Sequence, residues 1–175
     1  KMMALNETLV STVVLVAIGL VMTVALADVN SIAGTIIADN TAKASDAARA
    51  ELLPAATSFT KYEGDLVVAV PDKVFVEDCY VADGVGMVVT VKTASFGGLL
   101  TEMVGIDSEG AITGVKVTAH GATKGLGTKA HDSGYLEQYK GLTELAKADN
   151  IKGDSAVTFI SGAPISPNSV YQGVC

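Results

Sequence analysis

Two short stretches carry the residue types most suited to chemistry, HGATKGLG at 120–127 and SGAPISPNS at 161–169. In the first, Gly121, Gly125 and Gly127 let the backbone approach a ligand closely and adopt positive φ. Thr123 adds a hydroxyl and Lys124 a charge. In the second, Ser161, Gly162, Ala163 and Pro164 follow an apolar run and precede a new element. Such a corner turns successive backbone N–H groups toward an anion. A phosphate is the natural guest. Each stretch alone also reads as a plain turn, and His120 alone reads as a structural histidine. The functional reading rests on the two together.

Composition narrows the classes. The chain has 175 residues, 49% hydrophobic and 18% charged, with a net charge of −7. That suits one folded domain with a core plus one extra element. The acidic balance excludes nucleic acid as a partner, because phosphate-backbone binding needs a basic face. Two histidines far apart in sequence, with no CxxC or HExxH, predict no metal site. Cys79 and Cys175 have no metal-ligand spacing, and a disulfide between them and two free thiols both stay open. No acid–base pair or nucleophile triad is evident, so no catalytic residue is predicted.

The element that must place this chemistry at a membrane is the uncharged apolar run 8–27. A bilayer core needs roughly 20 helical residues, and the threonine and serine hydroxyls of the run can bond back to its own helix. Ala25-Leu26-Ala27 fits a signal-peptidase site, but the run is longer than a signal-peptide apolar region. It reads as a single N-terminal transmembrane anchor, residues 1–30. The weak charge bias places the N-terminus inside and the following domain on the outer, periplasmic or extracellular, face of the cell membrane. Residues 31–54 read as a connecting helix over 32–53, stopped by Pro54.

From residue 55 to 175 the pattern changes to period two. Strands are predicted at 66–70, 73–77, 87–92, 99–106 and 111–118, with turns at Asp83-Gly84, Gly97-Gly98 and Glu109-Gly110. A helical stretch is predicted at 134–145, a final strand at 156–160, and a short helix or turn at 166–174. The fold class is α+β: a twisted antiparallel sheet with flanking helices behind a membrane helix.

The ordered motifs resemble a known family. The apolar span is followed by an AALLPA-like stretch at 49–56, SFGG at 95–98, MVGID at 103–107 and GAITGV at 110–115. HGATKGLG then matches H-x-x-T-x-G-L-G, and SGAP matches S-G-A-x. Over nearly its whole length the chain resembles the G subunit of the Rnf electron-transport complex. More distantly it resembles the C subunit of the sodium-pumping NADH:quinone reductase. The resemblance implies an FMN-binding domain and an electron-transport role in an ion-translocating ferredoxin:NAD oxidoreductase. It also implies other membrane subunits as partners and a separate flavin transferase for maturation. Such a subunit relays electrons and does not turn over alone.

In that family the FMN phosphate is esterified to the threonine of S-G-A-T. Here the matching position is Pro164, which has neither hydroxyl nor N–H. Three readings stay open: an altered residue in an otherwise normal site, a flavin held without a covalent bond, and Ser166 as ester acceptor. By resemblance, Ser161, Gly162 and Ala163 hold the phosphate. Thr123, Gly125, Leu126 and Gly127 line the ring or ribityl side near His120, and Gly97 and Gly98 permit close approach from the opposite loop. Two rivals remain. One is a membrane-tethered scaffold whose flavin-attachment site is lost; the other is a free-standing flavin reductase, for which no substrate-binding constellation shows.

Overall fold

The computed structural model describes residues 2–64, 66, 73–122, 127–146, 150–162 and 164–175, without the side chains of 2–8 and 38. The chain divides into two units, Lys1–Ala44 and Ser45–Cys175. The first unit is helical and belongs to α1, Met2–Leu52. No break separates the apolar run from the connecting helix, because no proline or positive-φ glycine interrupts 2–52. Helix α1 is long and apolar enough to cross a membrane by length and composition. Thr23 Oγ donates to the Gly19 carbonyl at 2.7 Å, so this hydroxyl is satisfied within the helix.

The second unit is a five-stranded antiparallel meander flanked on both faces. Its strands are β1 (Thr60–Lys61), β2 (Val74–Ala82), β3 (Gly86–Ser95), β4 (Gly98–Asp107) and β5 (Ile112–Ala119), in the spatial order β1-β2-β3-β4-β5. Four of the predicted strands are therefore present. Residues 67–70 of the fifth lie outside the described residues, and β1 is a short strand that the period-two pattern does not mark. The turns have local causes. Ser95 pairs with Gly98 across the β3–β4 turn, and Gly98 sits at φ 114. Asp107 Oδ1 accepts from the N–H groups of Glu109 (2.9 Å) and Ala111 (2.8 Å), and Gly110 takes φ 85. An aspartate bonding its own following backbone favours a tight turn over strand continuation.

Alternation along β4 sorts the two faces. Leu100 and Val104 point with Ile112, Val115, Leu136, Tyr139, Ile151, Val170 and Tyr171 into the main core. Met103 points to the opposite face, with Val88, Ala82 and the end of α1: Ala48, Leu52 and Leu53. Arg49 is anchored there, its guanidinium 3.7 Å over the Tyr80 ring and 2.5 Å from Asp46 Oδ1. Gly105 and Gly114 let Leu52 pack down onto the sheet, since a Cβ on either would meet its side chain at 3.0 Å.

Two predicted elements differ. The stretch 134–145 is not one helix: α2 spans Ser133–Leu136 and a 3-10 turn follows at Glu137–Tyr139. Gly141, at φ 83, ends it, and Gly141 N–H and Leu142 carbonyl instead bond the two backbone groups of Ile112. The predicted strand 156–160 is a turn and extended loop. Its N–H groups go to side chains: Ala156 to Asp154 Oδ1 at 2.8 Å and Thr158 to Gln138 Oε1 at 2.6 Å. With those donors occupied locally, no ladder forms. The closing helix α3, Ile165–Val174, packs on β3 and β4.

Candidate functional site

Four contacts close a ring at one end of the sheet. Ser169, on the first turns of α3, donates its hydroxyl to either the Ala94 carbonyl (2.8 Å) or the Ile165 carbonyl (2.9 Å), which ties α3 to β3. The β3–β4 turn meets the loop after β5, because Gly97 and Gly121 touch backbone to backbone. A Cβ on either would fall on the other's carbonyl, so only glycine fits this crossing. His120, beside Gly121, stacks on His131, with ring centroids 4.5 Å apart and the planes tilted by 43°. His131 ends the 3-10 turn Thr128–His131, whose N-cap is Gly127, and this turn packs on α3. Gly127 in turn lies against Ser166: a Cβ there would sit 2.9 Å from Ser166 Oγ.

The ring thus brings together Gly97, Gly98, His120, Gly127 and Ser166 from the predicted set. Ser161 and Gly162 form an exposed turn ahead of α3, with Gly162 at φ 99. Thr123, Lys124, Gly125, Leu126 and Ala163 lie outside the described residues. Pro164 is the N-cap of α3, at φ −69 and ψ −25, and is exposed, whereas Ser166 is only 3% exposed. Within α3 the ladder leaves the first-turn N–H groups unused. Pro164 and Pro167 have none to offer, so Ile165 and Ser166 carry the donors that remain.

Two polar side chains of the ring's elements, Ser95 of the SFGG stretch and His131, are assigned no role by the motifs. Ser95 Oγ is withdrawn from water and has no hydrogen-bond partner among the described residues. The same holds for both ring nitrogens of His131. Burial, with the His120 imidazole second, lowers the His131 imidazole to about 4, so it is neutral at physiological pH. The two histidines, far apart in sequence, meet here. Among the described residues no group of three metal-ligating side chains forms. Cys79 and Cys175 are not joined in a disulfide. Large apolar side chains fringe the ring: Phe96 and Leu99 at the β3–β4 turn, and Ile165 at the start of α3, are all exposed.

Residues 96–175 match the family described as FMN-binding domain. The match covers just under half of the chain. The matched stretch holds β4, β5, α2, α3 and every contact of the ring, with Ala94 alone supplied from outside it. The chain is 28% identical over 177 residues to the G subunit of the Na(+)-translocating ferredoxin:NAD(+) oxidoreductase complex of Acetobacterium woodii, covering 92% of this chain and 85% of that one. It is 31% identical over 90 residues to the G subunit of the ion-translocating oxidoreductase complex of Stutzerimonas stutzeri, covering 48% of this chain and 40% of that one. The resemblance to an Rnf-type G subunit that the motifs predict is borne out.

The matched stretch has a geometry that fits FMN. Glycines hold the ring's loops in contact, the first turn of α3 presents backbone N–H groups outside its own ladder, and buried polar atoms of Ser95 and His131 have no partner among the described residues. A Gly97→Ala substitution must push the β3–β4 turn off the Gly121 backbone. We expect it to cost about 1–3 kcal/mol, the usual range for overpacking, and to weaken FMN binding. Urea denaturation and flavin titration of the same variant check both.

Proposed function

We propose that this chain is a membrane-anchored flavoprotein subunit that relays electrons through FMN within an ion-translocating oxidoreductase complex. The observation that carries the reading is the ring that His120, Gly121 and Gly127 form with the β3–β4 turn and the start of α3, within the stretch that matches the FMN-binding domain family. Bound FMN would supply one- and two-electron chemistry that no side chain has. The protein's own part is position. Ile165 and Ser166 N–H groups, with the Ser161–Gly162 turn and Ala163, would hold the phosphate. Thr123, Gly125, Leu126 and Gly127 would line the remainder, with Gly97 and Gly98 opposite.

By analogy with its relatives, the complex would couple ferredoxin and NAD to ion movement, and this subunit would not turn over alone. Residues 1–30 would anchor the chain, 31–54 would join, and 55–175 would carry the flavin on the outer face. Other membrane subunits would be its partners, and a flavin transferase would mature any chain bearing an acceptor hydroxyl.

In this sequence we infer that the flavin is held without a covalent bond. Pro164 offers no oxygen nucleophile, and Ser166 is buried in the first turn of α3. Pro164→Thr, co-expressed with a flavin transferase, is expected to gain the mass of one esterified FMN and to fluoresce in a denaturing gel. The unaltered chain should remain dark in the same gel. A fluorescent, heavier unaltered chain, with the label mapped to Ser166, would contradict the non-covalent reading. Pro164 also favours a second reading, a tethered scaffold that has lost its cofactor. A natively purified protein that is colourless and takes up no FMN would favour that one.

A further inference from the structure

We propose that His131 is a flavin-contacting residue whose imidazole hydrogen-bonds an oxygen at the phosphate–ribityl end of FMN, with the Ser95 hydroxyl as a second contact. The inference rests on the FMN reading above and adds His131, which no motif contains, and Ser95, to which the SFGG stretch gives no role.

Its basis is an imbalance inside the ring. Buried polar groups nearly always have partners, and exceptions point to a ligand or another specific role. Here Ser95 Oγ and His131 Nδ1 and Nε2 are shielded from water without a partner among the described residues. They belong to two of the elements that close the ring. Ser95 ends β3 beside Ala94, whose carbonyl takes the Ser169 hydroxyl of α3. His131 ends the 3-10 turn that begins beside Ser166. Both therefore neighbour the start of α3, where the unused N–H groups of Ile165 and Ser166 are. A phosphate or ribityl oxygen there would meet backbone and side-chain donors together.

The chemistry of His131 suits this task. As a neutral ring it carries one N–H to donate and one lone pair to accept. A phosphoryl oxygen takes the former, and a ribityl hydroxyl can use either. His120 occupies one face of the ring, so His131 is held in place before a ligand arrives. A preset donor loses little freedom on binding.

The test uses the full chain in detergent, purified flavin-free. The protein has two histidines, so its imidazole Cε1–H signals are two, assigned with His120→Gln and His131→Gln. FMN, riboflavin and inorganic phosphate are titrated separately. We expect FMN to shift the His131 signal saturably. A shift with phosphate alone assigns the contact to the phosphate, and one with riboflavin but not phosphate assigns it to the ribityl end. His131→Phe should weaken FMN binding roughly tenfold, about one hydrogen bond to a charged group. His131→Gln, which keeps a donor and an acceptor, should recover most of that loss. If FMN binds while the His131 signal stays still and His131→Phe binds as tightly, the inference is overturned and the flavin reading stands. If the unaltered protein binds no FMN, both fall.

Discussion

Asp154→Ala is expected to lower the stability of the unit Ser45–Cys175 by about 2–4 kcal/mol, as loss of several charge-assisted hydrogen bonds implies. The carboxylate is a hub. Oδ2 accepts from Ala146 N–H at 2.7 Å and from the Tyr171 hydroxyl at 2.8 Å, and Oδ1 accepts from Ala156 N–H at 2.8 Å. Two loop segments and α3 are thereby tied to one side chain. Because α3 also carries Ser166 and Ser169, the loss should reach the site, and FMN affinity should fall with stability. The backbone donors of Ala146 and then Ala156 hold the Asp154 carboxyl below its ordinary value. A depressed folded value contributes stability that is complete above the unfolded carboxyl value, about 3.9, and is lost as pH falls through the folded one. Acid unfolding of the wild type should therefore be steeper than that of Asp154→Ala. Urea midpoints measured from pH 2 to 7 check this, and a variant as stable as wild type at pH 7 would contradict the hub.

Glu102 has the opposite sign. It lies on the main-core face of β4, fully buried, and neither carboxyl oxygen has a partner among the described residues. Gly173 of α3 makes the room, since a Cβ there would fall on Glu102 Oε1. Burial holds the carboxyl well above its ordinary value. The folded state then binds the proton more tightly than the unfolded chain. Its contribution is complete below the unfolded glutamate value, about 4.3, and is lost as pH rises toward the folded one. Stability should thus decline from mildly acid to alkaline pH. Glu102→Gln should flatten that slope. Glu102→Met, unbranched and able to pass Gly173, should stabilise the protein at pH 8 by about 1–3 kcal/mol, the cost of a buried unsatisfied polar group. Parallel curves for wild type and Glu102→Gln would show that this carboxyl is not the titrating group.

Much of the sheet is legible in the sequence because its causes are local. Alternating valines and threonines mark β3, and β4 and β5 follow from MVGID and GAITGV. Asp107 and Gly110 write their turn in adjacent residues. The unbroken α1 follows from a stretch without breakers. What local pattern misses depends on distant partners. Residues 156–160 have strand composition, but Asp154 and Gln138 capture their N–H groups. Helical spacing over 134–145 is overridden where Gly141 and Leu142 bond Ile112 instead. At the site, motifs pick out Gly97, Gly127 and Ser166. The contacts among them, and the meeting of His120 with His131, follow from the fold.

The central claim is that FMN binds in this ring and stays there without a covalent bond. The most direct measurement is the absorbance spectrum of the natively purified full chain, followed by denaturation and intact mass of the protein. The account predicts a yellow protein that releases stoichiometric FMN on denaturation and leaves a chain of unmodified mass. A colourless protein that takes up no added FMN would contradict it.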